Sequence, residues 1–123
     1  MESHEHIPDR NEVVANLCSL HEKNLSPEER KNTPEMVSLR AYIQFHENKI
    51  DQYEDALEGE FRRVEFTYEL AKIYLEAGFV EEGKDALAQA LNGALSGGFQ
   101  DIFTEMREYF LAHVGTEDEL DMM

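Results

Sequence analysis

The chain has 123 residues, 41% hydrophobic and 31% charged, and a net charge of −16. That length suits one domain with a core of moderate size, and the composition excludes a disordered polymer. The negative field repels nucleic-acid phosphates and anionic lipid headgroups, so neither direct nucleic-acid binding nor membrane binding is expected, whereas basic protein surfaces are attracted.

The opening stretch, MESHEHIPDR, is polar and acidic and lacks the basic-then-apolar layout of a secretion signal. Residues 1–9 are expected to be a mobile tail of a single helical domain, 1–115, and 116–123 an acidic C-terminal tail. No apolar run reaches the roughly 18 residues that span a bilayer. Cys18 is the single cysteine, so no internal disulfide can form. A cytoplasmic protein is expected.

The first helix is read from the helical spacing of Val13, Val14, Leu17, Cys18, Leu20 and Leu25. Ser26-Pro27-Glu28-Glu29 has an N-cap serine, a proline at the first helical position and a glutamate three residues after the cap, which predicts a short turn at 27–31. Thr33-Pro34-Glu35 repeats the start signal and opens a long pattern: Leu39, Ile43, His46, Ile50, Tyr53 and Leu57 in steps of four and three. The pattern continues past Gly59 through Phe61, Val64, Tyr68, Ala71 and Leu75. It reads either as one rod over 34–77 or as two helices jointed at about 58–60. The hairpin is preferred, because a globular monomer of this length cannot fill a core around so long a rod. Further helices are predicted at about 61–77, ended by Gly78, at about 80–95, ended by Ser96-Gly97-Gly98, and from about Phe99 to Val114, ended by Gly115. No segment alternates with period two. The expected fold is all-α, a bundle of about five helices stacked as antiparallel hairpins.

Leu70-Ala71, Tyr74, Gly78, Gly83, Leu87 and Ala90 share a frame over about 64–97. That stretch resembles a tetratricopeptide repeat, a helical hairpin of about 34 residues with small residues where the backbones close. Gly83 stands where the family usually has alanine. Thr67 occupies the place of the early bulky aromatic, and the terminal proline is replaced by Ser96-Gly97-Gly98. The resemblance implies that Leu70, Ala71, Tyr74, Leu87 and Ala90 are buried together in the hairpin. It also implies that the first helix of the repeat presents the inner, partner-binding face, whose positions are Glu65, Tyr68, Glu69, Lys72, Leu75 and Glu76. Family members that clamp a C-terminal carboxylate use lysine and asparagine there. The mainly acidic set here implies a basic or amphipathic segment of another protein instead.

Other constellations nominate little. His4, His6 and His46-Glu47 are in no HExxH or Glu-x-x-His pattern, and Cys18 and His21, three residues apart, lack two further ligands. There is no phosphate loop and no GxSxG, so no nucleophile, cofactor or metal is assigned and an enzyme is not expected. Arg62-Arg63 is the one adjacent arginine pair, flanked by Glu58 and Glu65. The aromatic residues Phe61, Phe66, Tyr68, Phe99, Phe103, Tyr109 and Phe110 exceed what one narrow seam needs; core packing is the preferred reading, and a groove or a homodimer face is the alternative for some of them. The leading expectation is a non-enzymatic adaptor or chaperone-like interaction module. The charge alone supports an alternative, an acidic inhibitor or nucleic-acid mimic that blocks a nucleic-acid-binding protein. A helical enzyme subunit or metal protein is the third.

Overall fold

The computed structural model of the protein describes residues 7–121, and over that range the chain is all-α, without strands. Its helices are α1 (Arg10–Glu22), α2 (Pro27–Arg30), α3 (Pro34–Asp51), α4 (Ala56–Ala77), α5 (Val80–Gly97), α6 (Gln100–His113) and α7 (Glu117–Asp121). Most starts follow side-chain caps. Asp9 accepts from the Glu12 amide at 2.8 Å, and Thr33 accepts from the Met36 amide at 3.3 Å. Ser26 and Glu29 cap each other reciprocally, which holds the Glu29 carboxyl below its usual range. Of the expected N-terminal tail, residues 1–6 lie outside the described residues, Pro8 is buried and Asp9 caps α1.

The long apolar pattern over 34–77 folds as two helices, but the joint falls at 52–55 rather than 58–60. Asp55 decides this: its carboxylate accepts from the Leu57 and Glu58 amides at 2.9 and 3.1 Å, so α4 starts before Gly59. The stripe assigned to Tyr53 and Leu57 is lost with the helix that carried it, and they are 45% and 60% exposed. Another departure lies at the C-terminus. Residues 117–121 of the expected tail form a helical turn, capped reciprocally by Thr116 and Glu119, with Leu120 packed against the α5–α6 core. Met122 and Met123 lie outside the described residues. Among the described residues no helix is long and apolar enough to cross a membrane.

The turns on either side of α5 are built alike. Gly78 has φ 98° and Gly98 has φ 74°, the left-handed region where a Cβ is strained. In each turn the glycine is followed by a phenylalanine at φ near −87° and ψ near 76°, and that residue's amide donates 2.9 Å to the carbonyl five back, at Tyr74 or Ala94. The two turns make α4, α5 and α6 successive antiparallel neighbours.

Two apolar clusters result, and α4 serves both. Val64, Tyr68 and Ala71 pack with Leu87, Ala90, Ala94, Met106 and Phe110 of α5 and α6. Ile73 and Ala77 pack with Val13, Leu17, Leu20, Leu39 and Tyr42 of α1 and α3. The expected burial of Ala71, Leu87 and Ala90 together is observed. Leu70 and Tyr74 are half-buried instead: they pack on the α1–α3 cluster and also line a cleft beside Glu82 and Asp85 of α5.

Gly83 marks a close approach of α4 and α5. A Cβ there would meet the Leu75 Cγ at 2.5 Å and the Ala71 carbonyl oxygen at 3.3 Å, which explains glycine where a repeat of the resembling family has alanine. Gly83→Ala gains about 1 kcal/mol of helix propensity, but overpacking costs about 1–3 kcal/mol, so a net loss of about 1 kcal/mol is expected in urea denaturation. In a Leu75→Ala background the same substitution should become stabilising. A raised urea midpoint for Gly83→Ala alone would show that the two helices are not this close.

At the α3–α4 interface His46 lies stacked on Phe66, with ring centroids 4.8 Å apart, and 4.6 Å from Tyr42. Desolvation, with a smaller contribution from Lys49, lowers its pKa from 6.5. The unfolded chain therefore takes up this proton more readily than the folded one. The contribution is complete above the unfolded value and is lost as pH falls through the folded value. Urea midpoints should fall on acidification between pH 6.5 and about 5, below which carboxylates dominate. His46→Gln should flatten that slope, and an unchanged slope would remove His46 as its cause.

Candidate functional groove

With two faces of α4 consumed by packing, its polar remainder is narrow. Glu65, Glu69, Lys72 and Glu76 recur in steps of four, three and four between the two buried stripes. Four of the six expected partner-binding residues, Glu65, Tyr68, Glu69 and Lys72, line one open groove of about 640 Å³. Its other wall is the α5–α6 turn and the start of α6, contributing Phe99, Asp101, Ile102 and Glu105. Phe61 of α4 meets Phe99 edge to face across the mouth, centroids 5.2 Å apart. The lining carries four carboxylates and one ammonium.

Tyr68 is 5% exposed and forms the floor. Its ring meets Tyr109 at 5.8 Å and lies under the Lys72 ammonium, 4.4 Å from the centroid. Burial, with the nearby Glu105 carboxylate adding to it, pushes its pKa up to about 12. It therefore acts as part of the core more than as an exposed anchor. Leu75 lies outside the groove, half-buried against Gly83.

Glu76 is also outside the groove and is held by α1. The Arg10 guanidinium donates from Nε to Glu69 at 2.7 Å, and from its terminal nitrogens to both oxygens of Glu76. The two carboxylates push the arginine pKa further up. Glu65 is engaged as well, by Arg62 at 2.8 Å. Asp101 and Glu105, which the sequence reading did not single out, have no ion-pair partner among the described residues. Their signal is present in retrospect: two acids four apart beside Ile102, directly after the Gly98-Phe99 break.

The histidines and the cysteine are distributed otherwise. His21 lies over Gly78 and edge-on to Phe79, 5.2 Å away, and Cys18 packs on the α1–α3 cluster. His4 and His6 are outside the described residues. Among those described, no three His, Cys, Asp or Glu side chains are grouped to hold a metal ion. The chain matches no family model, no curated protein and no solved structure.

Arg10 fastens the start of α1 onto α4 through partly exposed groups, so solvent screening leaves the network worth about 1 kcal/mol. Arg10→Gln should lower stability by about that amount at low salt, and the gap to the parent should close at high salt. A gap independent of ionic strength would mean that Arg10 acts through packing of its stem.

Proposed function

We propose that the protein is a non-enzymatic interaction module, adaptor or chaperone-like, that works in the cytoplasm and binds a basic, amphipathic segment of another protein in the α4–α6 groove. The observation that carries this reading is the groove itself: an apolar floor and wall of Tyr68, Phe61, Phe99 and Ile102 with a carboxylate rim, open to solvent. Apolar side chains of a bound segment would enter between the rings while its cations meet the rim, the combination by which grooves take short segments. The resemblance of 64–97 to a tetratricopeptide repeat supports the same reading, since α4 would then be the helix that presents the inner face. The single cysteine agrees with a reducing compartment.

Rim charge acts mainly on association, and buried anchors act mainly on dissociation. With a partner captured by cross-linking and identified, Glu65→Gln and Asp101→Asn should slow association and flatten its salt dependence. Ile102→Ala should leave association unchanged and speed dissociation about tenfold, a loss on the order of 1.4 kcal/mol. Unchanged rates in all three folded variants would place the binding surface elsewhere. A partner released by competing nucleic acid, with affinity collapsing in salt, would favour the acidic mimic instead.

A further inference from the structure

The protein's own arginines reveal a recurring arrangement. Arg30 lies over the Phe79 ring, 5.0 Å from its centroid, and donates to Glu82 at 3.3 Å. Arg62 lies 5.7 Å from the Phe61 centroid and donates to Glu58 and Glu65, both at 2.8 Å. In each case a planar guanidinium lies beside an aromatic ring while N–H groups of its edge donate to carboxylate, one at Arg30 and two at Arg62, a geometry that lysine cannot reproduce.

The groove presents the same elements twice. At the Phe61–Glu65 end, Arg62 supplies the cation. At the Phe99–Glu105 end the ring and two carboxylates, Asp101 and Glu105, stand beside Ile102 without a counter-cation among the described residues. Lys72, the one cation in the lining, is held over Tyr68 and 3.9 Å from Glu69, on the α4 side. Building on the groove reading above, we propose that this end of the groove selects an arginine. The occupant is a partner segment presenting an arginine next to a branched aliphatic residue, with the guanidinium against Phe99 and its fork on Asp101 and Glu105. The aliphatic side chain packs on Ile102. Charge complementarity chooses a cation, and the ring beside paired carboxylates chooses arginine over lysine.

The test is a titration of the isotope-labelled full chain, followed by amide shifts, with three short alanine-based peptides. They carry an Arg-Leu pair, a Lys-Leu pair or a citrulline-Leu pair. The arginine peptide should shift the amides of Phe99, Ile102 and Glu105 and bind about tenfold more tightly than the lysine peptide, the citrulline peptide being weakest. Asp101→Asn, and separately Glu105→Gln, should shrink the arginine preference. Because Asp101 is exposed, its variant keeps the test valid if Glu105→Gln disturbs Tyr68. Equal binding of the arginine and lysine peptides at these amides would overturn arginine selection and leave the groove reading standing. Shifts confined to other faces, or none with any peptide, would overturn both.

Discussion

The architecture depends on α4 being apolar on two faces at once. Successive residues of a helix advance by about 100°. Val64, Tyr68 and Ala71 therefore share one face, and Phe66, Leu70, Ile73 and Ala77 share another. The first is covered by α5 and α6 and the second by α1 and α3. Glu65, Glu69, Lys72 and Glu76 lie at the angle between them. They cannot be buried by either neighbour, yet both neighbours flank them. The acidic strip is thus bordered on one side by Arg10 of α1 and on the other by α6. The groove follows from how the two cores divide the central helix.

The turn into α6 ties the groove to the backbone. Gly98 takes the left-handed conformation that reverses the chain, and Phe99 follows at φ −86° and ψ 77°, with its ring edge to face with Phe61. Gly97 lets that ring lie close, since a Cβ there would come within 2.5 Å of it. The equivalent Phe79 in the preceding turn is used differently. It is buried under α1, with His21 and Arg30 around it. One turn geometry, used twice, closes the core in one place and opens a cleft in the other. The difference is that α1 covers the first turn, whereas the second faces α4 across an open groove.

Much of the helix pattern was legible in the sequence, because it rests on local signals. Pro34 after Thr33, the Ser26–Glu29 pair and Gly78 each mark a boundary through the backbone groups they satisfy. The misplaced joint at 52–55 was equally local. Asp55 followed by Glu58 is a start signal, but Gly59 drew the boundary because the apolar spacing ran on through Tyr53 and Leu57. The Thr116–Glu119 pair was likewise obscured by the acids around it. The groove was legible only in part. Glu65, Glu69 and Lys72 could be placed on one helical face, but Arg10 is far from them in the chain, and no local pattern foretells that it engages two of the acids. Whether Tyr68 is floor or anchor depends on α6 crossing it, which is a tertiary fact.

The size of the groove bounds what the proposed interaction can be. At about 640 Å³ it admits only a few side chains, whereas a stable complex buries roughly 1,200–2,000 Å² contributed by about twenty or more residues a side, so the partner would have to spread beyond it. A second, mixed polar and apolar cleft of about 420 Å³ lies across α4, with Phe66, Leu70 and Tyr74 among Arg63, Glu82 and Asp85. It is separated from the first by the body of α4 and α5, so one short segment cannot fill both. A segment confined to the α4–α6 groove would therefore bind transiently. The protein's net charge of −16 would bring a basic segment in quickly, while a few buried contacts would let it go quickly. Such kinetics suit a module that hands a segment on or shields it briefly, and they fit a permanent subunit contact poorly.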